Sequence, residues 1–184
     1  MIRRAGYSSL APAEWDVTFE TAIPCDHVNR LSKWRPEMKR GVLLHGKPGR
    51  GKSRLGLCII NRFASETYRC KFITFADILS KQKDSFDNDQ TTPEIELAKL
   101  RNVNLLFIDD FGAEKLTEWG ETVFFQIFDH RVAQSMPTFL SSNYSLDELS
   151  PKVHPRIIDR ILKHCSIVEC KGPSFRIGQH RNDI

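Results

Sequence analysis

A glycine-rich stretch near the first quarter of the chain matches the pattern G-x-x-x-x-G-K-[ST] at each fixed position. Its residues are Gly46, Lys47, Pro48, Gly49, Arg50, Gly51, Lys52 and Ser53. Glycines let successive backbone N–H groups turn towards phosphate, and the start of the next helix adds partial positive charge. Lys52 is expected to reach the β- and γ-phosphates, and the Ser53 hydroxyl is expected to hold Mg²⁺. The stretch therefore predicts a nucleoside triphosphate site.

Two adjacent carboxylates supply the other groups that triphosphate hydrolysis requires. Asp109 and Asp110 follow the apolar run LLFI, which indicates a buried strand, and ligands bind at the carboxyl edge of a parallel sheet. Asp109 is the candidate ligand for Mg²⁺, through water, and Asp110 is the candidate to polarise the attacking water. Alone, the pair could simply open a turn, because Phe111 and Gly112 follow. The upstream glycine-rich loop favours the catalytic interpretation.

A third polar group follows another short apolar strand. The stretch TFLSSN (138–143) ends in two hydroxyls and an amide, and in a parallel sheet this end lies beside the acid pair. Asn143 could then orient the attacking water or contact the γ-phosphate. The alternative is a plain strand-to-helix turn, and SLDE (145–148) does resemble a capping box for the next helix.

The elements that must position these groups alternate along the chain, which predicts a parallel α/β sheet. Strands are expected at 41–45, 71–75, 105–108, from 138, and at 166–170. Helices are expected at 53–63, 76–86, from 93, 117–132, after 145, and at 155–163. The first 40 residues fit this alternation poorly, and Trp15, Phe19 and Trp34 could pack on the nucleotide base or on the core. We expect an arm at 1–35 and one nucleotide-binding domain at 36–184.

Composition narrows the class of protein. A chain of 184 residues with 40% hydrophobic residues suits one domain, and the formal net charge of +4 is compatible with nucleic acid. No apolar run approaches the roughly 18–20 residues of a membrane span, and no signal sequence is evident, so we expect a cytoplasmic protein without membrane association. The five cysteines lack a C-x-x-C pair, which predicts reduced thiols and no structural metal site.

From about Trp15 to Ile177 the chain resembles the DnaC/DnaI/IstB branch of AAA+ ATPases, a group of helicase loaders and transposition helpers. The resemblance rests on six blocks in order: GKPGRGKS, TFADILSKQKDSF, LLFIDDFGAEKLTEWGE, PTFLSSNYSLDEL, RIIDRI and GPSFR. It implies an α/β P-loop NTPase fold of AAA+ type, with a five-stranded parallel sheet flanked by helices and without a helical lid. It also implies ATP as the nucleotide and Mg²⁺ as its metal.

The resemblance assigns further roles. Asn143 falls at the family's sensor 1 position, and Arg160 falls at the arginine finger, which reaches into the neighbouring subunit's nucleotide. Self-assembly into an ATP-bridged oligomer is therefore implied. Arg156, one helical turn earlier, would support the finger, and Arg176 matches the late arginine that acts as sensor 2. A solvated basic helix face is the alternative for Arg156 and Arg160.

The resemblance also implies contacts with single-stranded DNA. Lys83 and Phe86 fall at one family position that faces the strand, and Thr117 and Trp119 fall at another. A lysine on phosphate, a hydroxyl donor and aromatic rings for stacking suit that ligand. For Phe86 and Trp119 the alternative is a place in the core.

Three functions remain open from the sequence. The first is an ATPase that assembles on single-stranded DNA and loads or remodels a replicative helicase, which KDSF and TEW favour. The second is a transposition helper that acts on duplex DNA and recruits a transposase, which the short N-terminal segment favours. The third is a nucleotide-gated binding module with negligible turnover, against which Asp109, Asp110 and Arg160 argue.

Overall fold

Strands and helices alternate through the computed structural model, which describes residues 17–65, 67–86, 90–113 and 115–174. The strands are β1 (Gly41–His45), β2 (Cys70–Thr74), β3 (Leu105–Asp109), β4 (Thr138–Ser142) and β5 (Cys165–Glu169). The helices are α1 (Asp26–Ser32), α2 (Lys52–Phe63), α3 (Phe75–Asp84), α4 (Pro93–Arg101), α5 (Glu118–Ala133), α6 (Leu146–Leu149) and α7 (Pro155–His164), with a 3-10 turn at Pro36–Met38.

The five strands form one sheet in the order β2-β3-β4-β1-β5, and every pairing is parallel. This confirms the predicted five-stranded parallel sheet flanked by helices. The central strand β4 pairs with β3 on one side and with β1 on the other, so Leu140 lies between Ile108 and Leu43. The carboxyl ends of β1, β3 and β4 consequently meet at one edge of the sheet, where the predicted site residues follow.

Both faces of the sheet are buried, because helices cover each of them. Successive strand side chains point to opposite sides and so contribute to both cores. One face packs against α3, α4, α5 and α7, and the other packs against α1 and α2. In β1, for example, Leu43 belongs to the first core cluster while Val42 and Leu44 belong to the second. Burial on both faces explains why β1 and β3 read as continuous apolar runs rather than alternating ones.

The boundary between the second strand and its helix differs from the prediction. The strand ends at Thr74 rather than Phe75, because the Thr74 hydroxyl accepts a hydrogen bond from the Asp77 backbone N–H at 3.0 Å and caps the next helix. Phe75 therefore opens α3, and the helix ends at Asp84 rather than residue 86. The predicted start of the last strand was also one residue late, since β5 begins at Cys165.

The segment before β1 packs on the same core as α2. Trp34 is 5% exposed and makes edge contacts with Phe63 and Phe139, at ring-centroid distances of 5.3 and 4.9 Å. Of its two predicted places, Trp34 therefore occupies the core, and Phe19 packs half-buried against the same cluster. Trp15 lies outside the described residues. The domain boundary at residue 35 stays a prediction.

A fully buried arginine ties the ends of several elements together. Arg131 of α5 donates through Nη1 to the Leu100 and Val103 carbonyls, at 2.9 and 2.7 Å. It also donates through Nη2 to the Pro137 carbonyl and through Nε to the Thr138 hydroxyl, each at 2.8 Å. Burial lowers the pKa of the guanidinium to about 10, so it stays cationic at neutral pH. No motif or spacing in the sequence marks this residue.

All five cysteines are free thiols. Burial raises the pKa of Cys58 to about 11 and that of Cys165 to about 12. Such thiols are protonated at neutral pH and behave as small apolar residues in the core.

Candidate active site

The glycine-rich loop joins β1 to α2, and its glycines adopt backbone angles that other residues rarely take. The φ angles of Gly46, Gly49 and Gly51 are 143°, 78° and 78°. At Gly46 an added Cβ would also lie 2.6 Å from the Cys170 carbonyl oxygen. The first glycine of the pattern therefore serves two purposes, since it permits the turn and lets β5 approach the loop closely.

The loop and the start of α2 suit an anion. Gly51 precedes α2 and has no side chain to cap the opening N–H groups, whereas Thr74 and Thr117 cap α3 and α5 with their hydroxyls. Uncapped N–H groups and the partial positive charge of a helix N-terminus favour phosphate. Arg50 adds a buried Nη1 that has no hydrogen-bond partner among the described residues, as expected for a donor whose partner is a ligand.

Lys52 and Asn143 meet although they lie 91 positions apart. The Lys52 side chain is 5% exposed, and its Nζ donates to Asn143 Oδ1 at 2.7 Å. The same ammonium donates to the Gly46 and Lys47 carbonyls at 2.7 and 3.1 Å. The structure thus brings together the loop lysine and the polar residue after β4, as the parallel sheet predicted.

Asp109 ends β3 in a buried position, with 5% of its surface exposed. Burial raises the pKa of its carboxyl group above the ordinary value, while the hydrogen bond from Ser141 and the nearby Ser53 hydroxyl oppose that shift. The influence of Ser53 on this pKa is informative, because it shows that the two residues predicted as Mg²⁺ ligands are neighbours. A hydroxyl and a carboxylate are hard oxygen donors, which is the donor type that Mg²⁺ prefers. The residues present therefore fit that ion.

Asp110 is exposed and sits in the left-handed backbone region, with φ of 53°. Such a conformation is unusual for a residue other than glycine and is often found where a site fixes the backbone. Here β4 fixes it: the Asp110 N–H donates to Ser141 Oγ at 3.1 Å, and the Phe111 N–H donates to the Ser141 carbonyl at 2.8 Å. Ser142 completes the support by donating to the Phe111 carbonyl at 2.8 Å.

Ser141 and Ser142 therefore support the acid pair, a role that was not predicted for them from the sequence. Ser141 bridges the two acids, since its Oγ donates to Asp109 and accepts from the Asp110 backbone. The signal was available: two adjacent hydroxyls at the end of a strand predicted to lie beside the acid pair. What the sequence did not reveal is the register, which pairs Ile108 with Leu140 and so places Ser141 beside Asp109 at the end of β3.

Arg160 lies on α7, apart from the groups at the sheet edge. Its Nε donates to Asp129 Oδ1 of α5 at 2.9 Å, and 31% of its side chain is exposed. Arg156 places its guanidinium 5.4 Å from the Phe125 ring centroid. Arg176 lies outside the described residues, so its predicted role stays a prediction.

The structure gathers Lys52, Ser53, Asp109, Asp110 and Asn143, and leaves Arg160 on a separate, half-exposed face.

The four residues predicted to contact DNA come from two neighbouring helix ends. The Lys83 Nζ of α3 lies 5.6 Å from the ring centroid of Trp119, which is half-buried at the start of α5. Phe86 is 66% exposed, so the alternative that places it in the core is wrong. The Thr117 hydroxyl accepts a hydrogen bond from the Gly120 N–H at 3.2 Å and caps α5, which leaves its proton available to donate.

A parallel sheet in this order, a phosphate-type loop after β1 and an acid pair after β3 define a P-loop nucleotide-binding protein of the AAA+ type. The chain belongs to the family of IstB-like ATP binding proteins, whose family model matches residues 8–183.

Two curated relatives and a solved structure agree with this assignment. The chain is 31% identical over 169 residues to the replicative helicase loader DnaC of Escherichia coli strain K12, covering 88% of this chain and 69% of that protein. It is 36% identical over 111 residues to the replicative helicase loader DnaI of Bacillus subtilis strain 168, covering 60% of this chain and 35% of that protein. A crystal structure of DnaI superposes with a TM-score of 0.73 at 23% identity, over 90% of this chain and 93% of that one, which establishes likeness of fold.

Within the part of the chain that the structure describes, no helix combines the length and apolar character needed to span a membrane.

Proposed function

We propose that this chain is a Mg²⁺-dependent ATPase that assembles on single-stranded DNA and loads or remodels a replicative DNA helicase. The observation that carries the proposal is the meeting of Lys52, Ser53, Asp109 and Asn143 at one sheet edge. The chain's 31% identity to a protein named as a replicative helicase loader supports the helicase as its partner.

Binding of ATP falls to the loop of residues 46–53. Backbone N–H groups of the loop and of the first turn of α2 would donate to the β- and γ-phosphates. The Lys52 ammonium, which donates to Asn143 and to two loop carbonyls, would exchange such contacts for phosphate oxygens. Ser53 and Asp109 would hold Mg²⁺, which when bound supplies positive charge that neutralises the phosphate oxygens.

Hydrolysis requires a water in line with the γ-phosphate. Asp110, exposed at the start of the turn after β3, would accept a hydrogen bond from this water and take its proton as the water oxygen bonds to phosphorus. The bond from the γ-phosphorus to the bridging oxygen then breaks, and ADP leaves. Asn143 would orient the water or contact the γ-phosphate from the neighbouring strand.

The separate, half-exposed position of Arg160 supports completion of the site by a second subunit. In the proposed oligomer Arg160 of one subunit reaches the ATP of the next, and the DNA contacts are made by Lys83, Phe86, Thr117 and Trp119. Loss of the γ-phosphate would loosen the interface and release DNA and helicase. The description of the matching family as IstB-like keeps a second candidate, an ATP-dependent transposition helper that acts on duplex DNA with a transposase as partner.

The test measures ATP hydrolysis at several protein concentrations, alone, with single-stranded DNA and with duplex DNA. We expect the rate per subunit to rise with protein concentration and with single-stranded DNA. Lys52→Ala should lose ATP binding, while Arg160→Ala should bind nucleotide but lose turnover, since an arginine finger is worth about 10³–10⁵ in rate. Normal hydrolysis by Arg160→Ala would overturn the shared site, and stimulation mainly by duplex DNA would favour the transposition helper.

A further inference from the structure

Helix α5 contacts the start of α7 through one stripe of side chains. Glu121, Phe125 and Asp129 are spaced four residues apart, so they lie on the same face of the helix. The Glu121 carboxylate accepts a hydrogen bond from the His154 backbone N–H at 2.6 Å, just before α7 begins. Each of the three residues therefore meets a successive point along α7.

The two remaining contacts of the stripe involve arginines. The Phe125 ring centroid lies 5.4 Å from the Arg156 guanidinium and 6.5 Å from the His154 ring. Asp129 Oδ1 accepts from Arg160 Nε at 2.9 Å. A hydrogen bond to the backbone, a cation–π contact and an ion pair thus fix the position of α7 along α5 over about two helical turns.

Asp129 contacts only one edge of the Arg160 guanidinium, so the other nitrogens of that group are available to a second ligand. Asp129 engages Nε, while Nη1 and Nη2 make no hydrogen bond within the described residues. A guanidinium bonds phosphate best through paired N–H groups in its plane, and the Nη pair can serve that purpose while Nε is held. The Arg160–Asp129 ion pair is half-exposed, with 31% of the Arg160 side chain and 40% of the Asp129 side chain accessible. It therefore lies at a surface that another subunit can reach.

We propose that Asp129 is the positioning residue of Arg160. It holds the guanidinium through Nε and so presents Nη1 and Nη2 to the ATP of a neighbouring subunit. This inference rests on the proposed function, because it requires Arg160 to act across a subunit interface. An exposed ion pair contributes little to stability, about 0–1 kcal/mol, so a role confined to the fold would be small.

The experiment mixes two inactive variants that complement each other. The acceptor, Arg160→Ala, keeps an intact ATP site but lacks the finger. The donor, Asp110→Asn, keeps Arg160 but lacks the group that activates water. Hydrolysis in the mixture then arises where a donor's Arg160 completes an acceptor's site, and Asp129→Asn is added to one partner at a time.

We expect Asp129→Asn in the donor to lower the maximal rate about 10–100-fold, the scale of a misplaced catalytic group, with little change in KM for ATP. The same change in the acceptor should leave the rate unaltered, because the acceptor's own Arg160 is already absent. Asp129→Glu in the donor should restore part of the loss. A purely structural role would lower the rate from either side.

The control in the donor is Asp159→Asn, an exposed acid beside Arg160 on α7 whose removal changes the charge equally. Four results would each overturn the inference. Asp159→Asn could cause an equal loss, or Asp129→Asn could act equally in both partners. Asp129→Asn in the donor could also have no effect or give a faster rate. A mixture that shows no recovered hydrolysis would instead refute the shared site of the proposed function, so the two failures are distinguishable.

Discussion

At the scale of the residue, Asp109 lies in a setting that opposes its own charge. Burial raises the pKa of the carboxyl group, and the hydroxyls of Ser141 and Ser53 offset only part of that effect. A buried carboxylate beside an exposed one is the arrangement expected where a cation binds, since a bound cation would favour the ionised form. The protein thus gives up some stability in order to keep the proposed metal ligand in place.

Asp109→Asn should therefore stabilise the protein in the absence of nucleotide and Mg²⁺, although it should abolish hydrolysis. Because the folded-state pKa is raised, stability falls as pH rises from the ordinary value of 3.8 through the folded value. Asparagine removes this penalty, so the gain should be largest at neutral pH and shrink towards pH 4. Each kcal/mol gained raises Tm by about 2–4 °C for a chain of this size.

Thermal unfolding between pH 4 and pH 8 measures this effect, with Asp159→Asn as the control at an exposed acid. The control should show no gain that grows with pH. A Tm for Asp109→Asn that equals or falls below that of the unaltered protein at neutral pH would show that the serine hydroxyls fully compensate the burial.

At the scale of the element, the position of α2 decides where Lys52 and Ser53 lie. The helix approaches β3 closely at Gly56, where an added Cβ would lie 2.4–2.7 Å from atoms of the Phe107 ring. That ring cannot retreat easily, because it stacks on Phe72 at a centroid distance of 5.0 Å and is fully buried. The glycine thus lets the helix that carries the phosphate-binding residues lie flat on the sheet.

Gly56→Ala should destabilise the protein by about 1–3 kcal/mol, because overpacking outweighs the gain of about 1 kcal/mol in helix propensity. The shift of α2 should also weaken ATP binding. Denaturant unfolding and nucleotide titration measure both effects.

Gly120→Ala in α5 is a matched control, since its added Cβ would meet Leu79 at an ordinary 3.5 Å. That change should be neutral or stabilising by up to about 1 kcal/mol. Gly56→Ala at or above the stability of the unaltered protein would mean that α2 moves away without cost.

At the scale of the whole molecule, α5 links two surfaces that the proposed function uses. Its first turn carries Trp119, over which Lys83 of α3 lies, and its last turns carry Asp129, which holds Arg160. Phe86, exposed at the end of α3, extends the first surface. One rigid helix therefore connects the proposed DNA contacts with the residue proposed to complete a neighbour's ATP site.

Trp119→Ala should weaken binding of single-stranded DNA by about 1–3 kcal/mol, the value of a stacked base. Lys83→Ala should weaken binding and reduce the slope of log affinity against log salt by about 0.7, as expected for the loss of one phosphate contact. Fluorescence anisotropy with a labelled oligonucleotide and a non-hydrolysable ATP analogue measures both.

Lys33→Ala, at an exposed lysine after α1, is the control and should leave the salt slope unchanged. An unaltered slope for Lys83→Ala, together with unaltered affinity for Trp119→Ala, would place the DNA on another surface.

The sequence alone determined the class of fold and predicted which residues gather at the candidate site. The glycine pattern of residues 46–53 and the acids after β3 are local signals, because turns, helix starts and strand ends depend on neighbouring residues. Alternating apolar runs and amphipathic segments then required a parallel sheet, whose carboxyl edge gathers Lys52, Asp109 and Asn143. Those predictions held because each depends on short-range pattern or on a general rule of topology.

Only the tertiary structure decided which distant groups meet. The bridge from Ser141 to both acids, the carbonyls around Arg131 and the ion pair of Asp129 with Arg160 each join positions about 30 residues apart. Such contacts depend on strand register and on how helices pack, and a single sequence carries no local pattern that records either. The same reason explains why Phe86 was left between core and surface, since an aromatic residue at a helix end fits both until its neighbours are placed.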